Sequence, residues 1–83
     1  MWGDVPVEVN DLIIVGAAGG RGRWFVQQAA HHPAFRVVAL VDRLPAAAQA
    51  VAEDLGLADM PIFDALEEAL AKIPCQAVLV ATP

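Results

Sequence analysis

Three glycines spaced three apart, Gly16, Gly19 and Gly22, break the chain between an apolar run and a helical stretch. Asp11-Leu-Ile-Ile-Val15 stops at the first of them, and a short continuous apolar run fits a parallel strand buried on both faces. The segment Gly16-Ala-Ala-Gly-Gly-Arg-Gly22 cannot be regular structure. Glycine permits the positive φ of a tight turn and lets the backbone come close to a neighbour or a ligand. Arg23–His32 then reads as a helix ended by Pro33. A helix start leaves unpaired N–H groups and a partial positive charge, which together suit an anion.

The pattern repeats downstream. Arg36-Val-Val-Ala-Leu-Val41 is a second apolar strand ending at Asp42. Pro45 suits a first helical turn and Gly56 the position just past a helix end, so Ala46–Leu55 reads as the second helix. Pro61-Ile-Phe63 is a short third strand. Asp64, with Glu67 three residues on, resembles a capping box and opens a third helix. Its expected inner face is Leu66, Ala69, Leu70 and Ile73, and Pro74 closes it. Cys75–Ala81 is a fourth strand, with Thr82 and Pro83 after it.

Strands alternating with helices predict an α/β fold with a parallel sheet. The expected architecture is the first half of a Rossmann-like doubly wound sheet, β-α-β-α-β-α-β, in strand order 3-2-1-4. Residues 1–10 read as an N-terminal tail and 11–83 as the folded segment. The last apolar strand would have an uncovered edge. The expectation is therefore a fragment, a truncated product or a unit that needs a partner.

Composition removes several function classes. The 83 residues carry ten Asp+Glu against five Lys+Arg, and no basic cluster marks a nucleic-acid footprint. No apolar run approaches the roughly 20 residues of a membrane span. One cysteine and no evident secretory leader suggest a reducing, cytoplasmic setting. No Ser/His/Asp set, metal-ligand spacing or carboxylate pair is visible, so no catalytic and no metal-binding residue is assigned. His31 and His32 fall in the expected last helical turn, Cys75 reads as an apolar filler, and Trp24 and Phe25 as residues that pack the first helix against the sheet or a missing segment.

The glycine turn is where chemistry concentrates. Its neighbours Ala18, Gly20 and Arg21 belong to the same candidate phosphate site as Gly16, Gly19 and Gly22. Arg21 and Arg23 stand at a helix start, where positive charge opposes the dipole, which points to phosphate contact or to a solvated arginine. Asp42 follows the second strand, 26 residues after Gly16, against a usual distance of about 20. A carboxylate there accepts hydrogen bonds from ribose hydroxyls and repels a 2′-phosphate, favouring NAD. Arg43 leaves NADP open, because a guanidinium pairs with phosphate or lies over adenine. Thr82 and Pro83 sit at a strand's carboxyl end, where doubly wound folds place their ligand.

Leu12-Ile-Ile-Val-Gly-Ala-Ala-Gly-Gly-Arg-Gly-Arg-Trp24, Val38-Ala-Leu-Val-Asp-Arg43, Ala52-Glu-Asp-Leu-Gly56 and Ala77-Val-Leu-Val-Ala-Thr-Pro83 together resemble the N-terminal domain of Gfo/Idh/MocA oxidoreductases. The resemblance implies NAD(P)-dependent chemistry on the CH–OH group of a sugar, polyol or related carbonyl compound. It implies that Gly16, Gly19, Arg21 and Gly22 hold the pyrophosphate, Asp42 and Arg43 face the adenosine ribose, and Ala81, Thr82 and Pro83 line the cofactor cleft. The family's Glu-Lys-Pro catalytic lysine and its substrate domain come later than Pro83, so the resemblance implies no turnover by these residues alone. A homo-oligomer is compatible with the longer parent. The turn departs from the family's usual G-x-G-x-x-G by one residue, with Ala18 where a second glycine would stand and Gly20 as an alternate contact. That spacing is also similar to dihydrodipicolinate reductase and extended short-chain dehydrogenases. A non-catalytic nucleotide-binding module is the competing reading.

Overall fold

A computed structural model describes residues 8–82. The expected N-terminal tail falls mostly on residues outside this range, as does Pro83. Four strands and three helices alternate: β1 (Asn10–Val15), α1 (Gly20–Ala30), β2 (Phe35–Val41), α2 (Pro45–Asp54), β3 (Ile62–Phe63), α3 (Leu66–Lys72) and β4 (Ala77–Val80). All pairings are parallel and the strand order is β3-β2-β1-β4, as the alternation predicted.

Burial explains why these runs are strands. Leu12, Ile14, Val37 and Leu40 point to one face, where they pack with Val26 and Ala29 of α1 and Ala48 and Ala52 of α2. Ile13, Ala39 and Val41 point to the other, against Ala69 of α3. The sheet is therefore sandwiched, and Ile13, Ile14 and Leu40 are fully buried. The β1–β2 register slips between Leu12 and Ile13, so Leu12 faces Val37 while Ile13 faces Ala39. The extra residue, Val38, packs on the α3 side beside Ala39. At the opposite end from the glycine turn, Asp11 accepts from Arg36 Nε at 2.8 Å, and Gln76 Oε1 accepts from the Asp11 N–H at 2.7 Å.

Gly56 behaves as expected. Its φ is +76°, its N–H donates to the Glu53 carbonyl at 3.1 Å, and the Leu57 N–H donates to Ala52 at 2.7 Å. This pair of bonds is the Schellman closure of α2.

Three expectations fail. First, α1 begins at Gly20 rather than Arg23, because the close approach of Gly22 to the turn after β1 outweighs the poor helix propensity of glycine. It ends at Ala30, so His31 is its C-cap and His32 lies past it. Second, α3 has Ala65 at its N-cap with no side-chain cap bond, so Asp64 does not form the expected capping box. Third, α3 is only seven residues long and turns Leu70 to solvent, 49% exposed. Trp24 faces solvent, edge-on to the Phe25 ring at 5.0 Å, while Phe25 lies half-buried beside Phe35 and Leu79.

β4 is shorter than expected. Ala77 and Leu79 pack inward, whereas Val78 and Val80 are exposed on the other face. Among the described strands β4 pairs with β1 alone, which leaves its outer edge open.

Candidate functional site

The turn after β1 is built by two glycines that the packing requires. Gly16 has φ +84°, and a Cβ there would lie 2.9 Å from Thr82 Cγ2 and 3.0 Å from the Thr82 nitrogen. Its N–H donates to the Val41 carbonyl at 2.8 Å. A Cβ on Gly22 would overlap the Gly16 carbonyl oxygen. Gly16 thus lets the chain reverse against the end of β4, and Gly22 lets α1 rest directly on the turn.

Gly19 and Gly20 differ. Gly19 is the N-cap of α1 in extended conformation, and the nearest atom to a Cβ there is the Gly16 carbonyl at 3.7 Å. Nothing stands within 4 Å of a Cβ on Gly20. The fold does not need glycine at either position. What the missing side chains leave is access to the backbone at the start of α1. The ladder of α1 opens with the Arg23 N–H donating to Gly19 at 2.7 Å. The amides of Gly20, Arg21 and Gly22 precede it and have no intrahelical acceptor.

Asp42 joins the turn to the end of β2. Its Oδ2 accepts from the Ala18 N–H at 2.9 Å, and its Oδ1 accepts from the Leu44 N–H at 2.9 Å. The Asp42 N–H in turn donates to the Phe63 carbonyl at 3.0 Å, tying it to β3. The carboxylate is half-buried at the lip of a cavity of about 800 Å³.

That cavity lies along the carboxyl ends of the strands, as ligand clefts of doubly wound sheets do. It brings together Gly16, Ala18 and Gly19 from the turn, Asp42 and Arg43 from the end of β2, and Ala81 and Thr82 from the end of β4. Gly20 and Arg21 are exposed in the first turn of α1 and Gly22 is buried beneath it; none of the three lines the cavity. Arg23 pairs with Asp54 of α2, with 3.2 Å between Nη1 and Oδ2. His32 turns its Nδ1 to the Ala34 N–H at 3.1 Å.

Leu44, Ala47, Asp64 and Leu66 also line the cavity and were not anticipated. The signal for Asp64 was present, since it directly follows an apolar strand, but its spacing to Glu67 pointed to a helix cap instead.

The donor set fits a dinucleotide. Two side-chain-free positions expose the start of an 11-residue helix, whose amides favour a diphosphate. An acceptor-only carboxylate stands further along the same cleft, where hydroxyls would meet it. A four-stranded parallel sheet with this turn, this helix start and this acid defines a nicotinamide-dinucleotide-binding Rossmann unit. The chain belongs to the Gfo/Idh/MocA oxidoreductase family: residues 11–83 match its profile, described as oxidoreductase family, NAD-binding Rossmann fold. The cofactor of that fold is NAD(P).

A dehydrogenase from Chromobacterium violaceum has a similar structure, with TM-score 0.81 and 23% sequence identity. The match covers 94% of this chain and 22% of that one, so the present chain spans about a fifth of the length of that dehydrogenase. At this identity the likeness concerns the fold. No curated protein sequence matches the chain. Among the described residues no helix is long and apolar enough to cross a membrane.

Proposed function

We propose that this chain is the NAD(P)-binding part of an oxidoreductase that acts on the CH–OH group of a sugar, a polyol or a related carbonyl compound. The observation that carries the reading is the Asp42–Ala18 link, which sets the ribose acceptor and the diphosphate turn on one cavity wall. The amides of Gly20, Arg21 and Gly22 at the start of α1 hold the pyrophosphate, and Gly16, Ala18 and Gly19 form the turn that seats it. Asp42 accepts from the adenosine ribose, with Arg43 beside it. Ala81 and Thr82 lie toward the nicotinamide end, and Pro83, expected to join them, is outside the described residues.

Asp42 favours NAD over NADP, because a 2′-phosphate would bring a second anion against a carboxylate already held by two backbone amides. The bound dinucleotide supplies hydride chemistry. The chain supplies binding and orientation.

Proton transfer is assigned to residues outside this sequence. Its only lysine, Lys72, is on α3 and pairs with Glu68 at 3.1 Å, away from the cavity. A lysine from a following segment and a separate substrate domain complete the enzyme in this reading. The 11–83 boundary of the binding unit is part of the same proposal.

Calorimetric titration with NADH and NADPH tests it. Binding of NADH, with NADPH weaker, is expected. Absence of binding by either overturns the assignment, and a preference for NADPH overturns the role of Asp42. Substrate class is tested by joining the chain to its downstream reading frame and assaying polyols and sugars for NAD reduction.

A further inference from the structure

Four lining residues, Leu44, Ala47, Asp64 and Leu66, have no part in the assignments above. They occupy the end of the cavity beyond Asp42. Three are apolar, and Leu44 is 67% exposed although it is a large hydrophobic side chain. An apolar residue held open at the rim of a polar cleft offers a surface to a flat, weakly hydrated group.

Asp64 supplies a polar edge to that surface. It does not cap α3, whose N-cap is Ala65. Among the described residues its carboxylate makes no hydrogen bond or ion pair. Its position follows from the sheet. Val41 pairs with Phe63, so Asp42 and Asp64 are the next residues of adjacent parallel strands. Adjacent strands lie about 4.8 Å apart. Asp64 is therefore one strand further out than the carboxylate assigned to the ribose, in the direction from the turn toward the sheet edge.

We propose that Asp64 reads the purine base of the dinucleotide: the base lies on Leu44, Ala47 and Leu66, and the carboxylate accepts a hydrogen bond from its exocyclic amine. This rests on the cofactor assignment above and adds a specificity to it. An ionised carboxylate only accepts hydrogen bonds. It is matched to the 6-amino group of adenine and mismatched to the 6-oxo group of hypoxanthine, whose oxygen would meet it acceptor to acceptor. Arg43, at the same end, is a second group able to lie over the base, and it does not distinguish an amine from a carbonyl at its edge.

The probe is reduced nicotinamide hypoxanthine dinucleotide, which differs from NADH at this edge of the base. Calorimetric affinities for both are measured with the full chain and with Asp64→Asn and Asp64→Leu, with circular dichroism confirming the fold of each. The unaltered chain is expected to bind NADH about tenfold more tightly than the hypoxanthine form, the scale of one hydrogen bond to a charged group. Asp64→Asn, whose amide both donates and accepts, brings the ratio to about one. Asp64→Leu also removes the preference, chiefly by weakening NADH. Equal affinities in the unaltered chain, or an unchanged ratio in Asp64→Asn, overturn this proposal while leaving cofactor binding intact. No binding of NADH to the unaltered chain overturns both.

Discussion

The carboxylate of Asp42 accepts the backbone N–H of Ala18 at 2.9 Å, across 24 residues of sequence, and so clamps the glycine turn to the end of β2. A single side chain thereby shapes the diphosphate turn and offers the ribose its acceptor. Asp42→Ala removes the partner of two amides, Ala18 and Leu44. A hydrogen bond to a charged group is worth about 1.5–3 kcal/mol. NADH affinity is expected to fall by about 10- to 100-fold, read by calorimetry. Unchanged affinity would show that neither the clamp nor the ribose contact matters.

Gly22 and Gly20 make opposite predictions two residues apart. Gly22→Ala places a methyl into the Gly16 carbonyl, with no flexible side chain able to yield. A destabilisation of at least about 3 kcal/mol is expected, the upper range for overpacking. Gly20→Ala enters open space at the start of α1 and is expected to be neutral or to stabilise by up to about 1 kcal/mol. Urea unfolding of the two variants checks the contrast.

Gly19→Val separates folding from binding. A Cβ there approaches only the Gly16 carbonyl at 3.7 Å, so the melting temperature should stay within a few degrees of the parent. The isopropyl group would stand where a diphosphate approaches the amides of α1. NADH binding is expected to be lost in a chain that is still folded, which titration and circular dichroism together would show.

Val80 is 61% exposed on β4, at an open sheet edge. Such edges template pairing with other chains, and a lysine there blocks it. Val80→Lys is expected to leave stability within about 0.5 kcal/mol, as surface changes do, and to reduce self-association in light scattering. An unchanged particle size at high concentration would show that the edge is not a contact.

The strands were legible because parallel strands covered on both sides leave unbroken apolar runs, as Leu12–Val15 and Val37–Val41 do. Gly56 was legible because its left-handed conformation is demanded by local backbone geometry alone. The start of α1 was not. Glycine opposes helix formation, and what admits Gly20–Gly22 to the helix is contact with Gly16, a tertiary fact. Likewise Asp64 carries a genuine cap-like spacing to Glu67, yet the backbone caps at Ala65. Leu70 satisfies a helical stripe, yet the seven-residue α3 leaves it 49% exposed. For the site, the turn and Asp42 could be read from spacing. Leu44, Ala47 and Leu66 could not, because they converge only through the lateral alignment of β2 with β3.

The contact of Gly22 with Gly16 carries a thermodynamic consequence. With no side chain between them, α1 rests on the turn after β1 at backbone contact distance, and moving the two apart would lose that seating. The receiving surface is then already in its working shape before any dinucleotide arrives, so little ordering entropy remains to be lost on association. Affinity for the diphosphate would accordingly be governed by how fast the ligand escapes, with hardly any loop rearrangement limiting its capture.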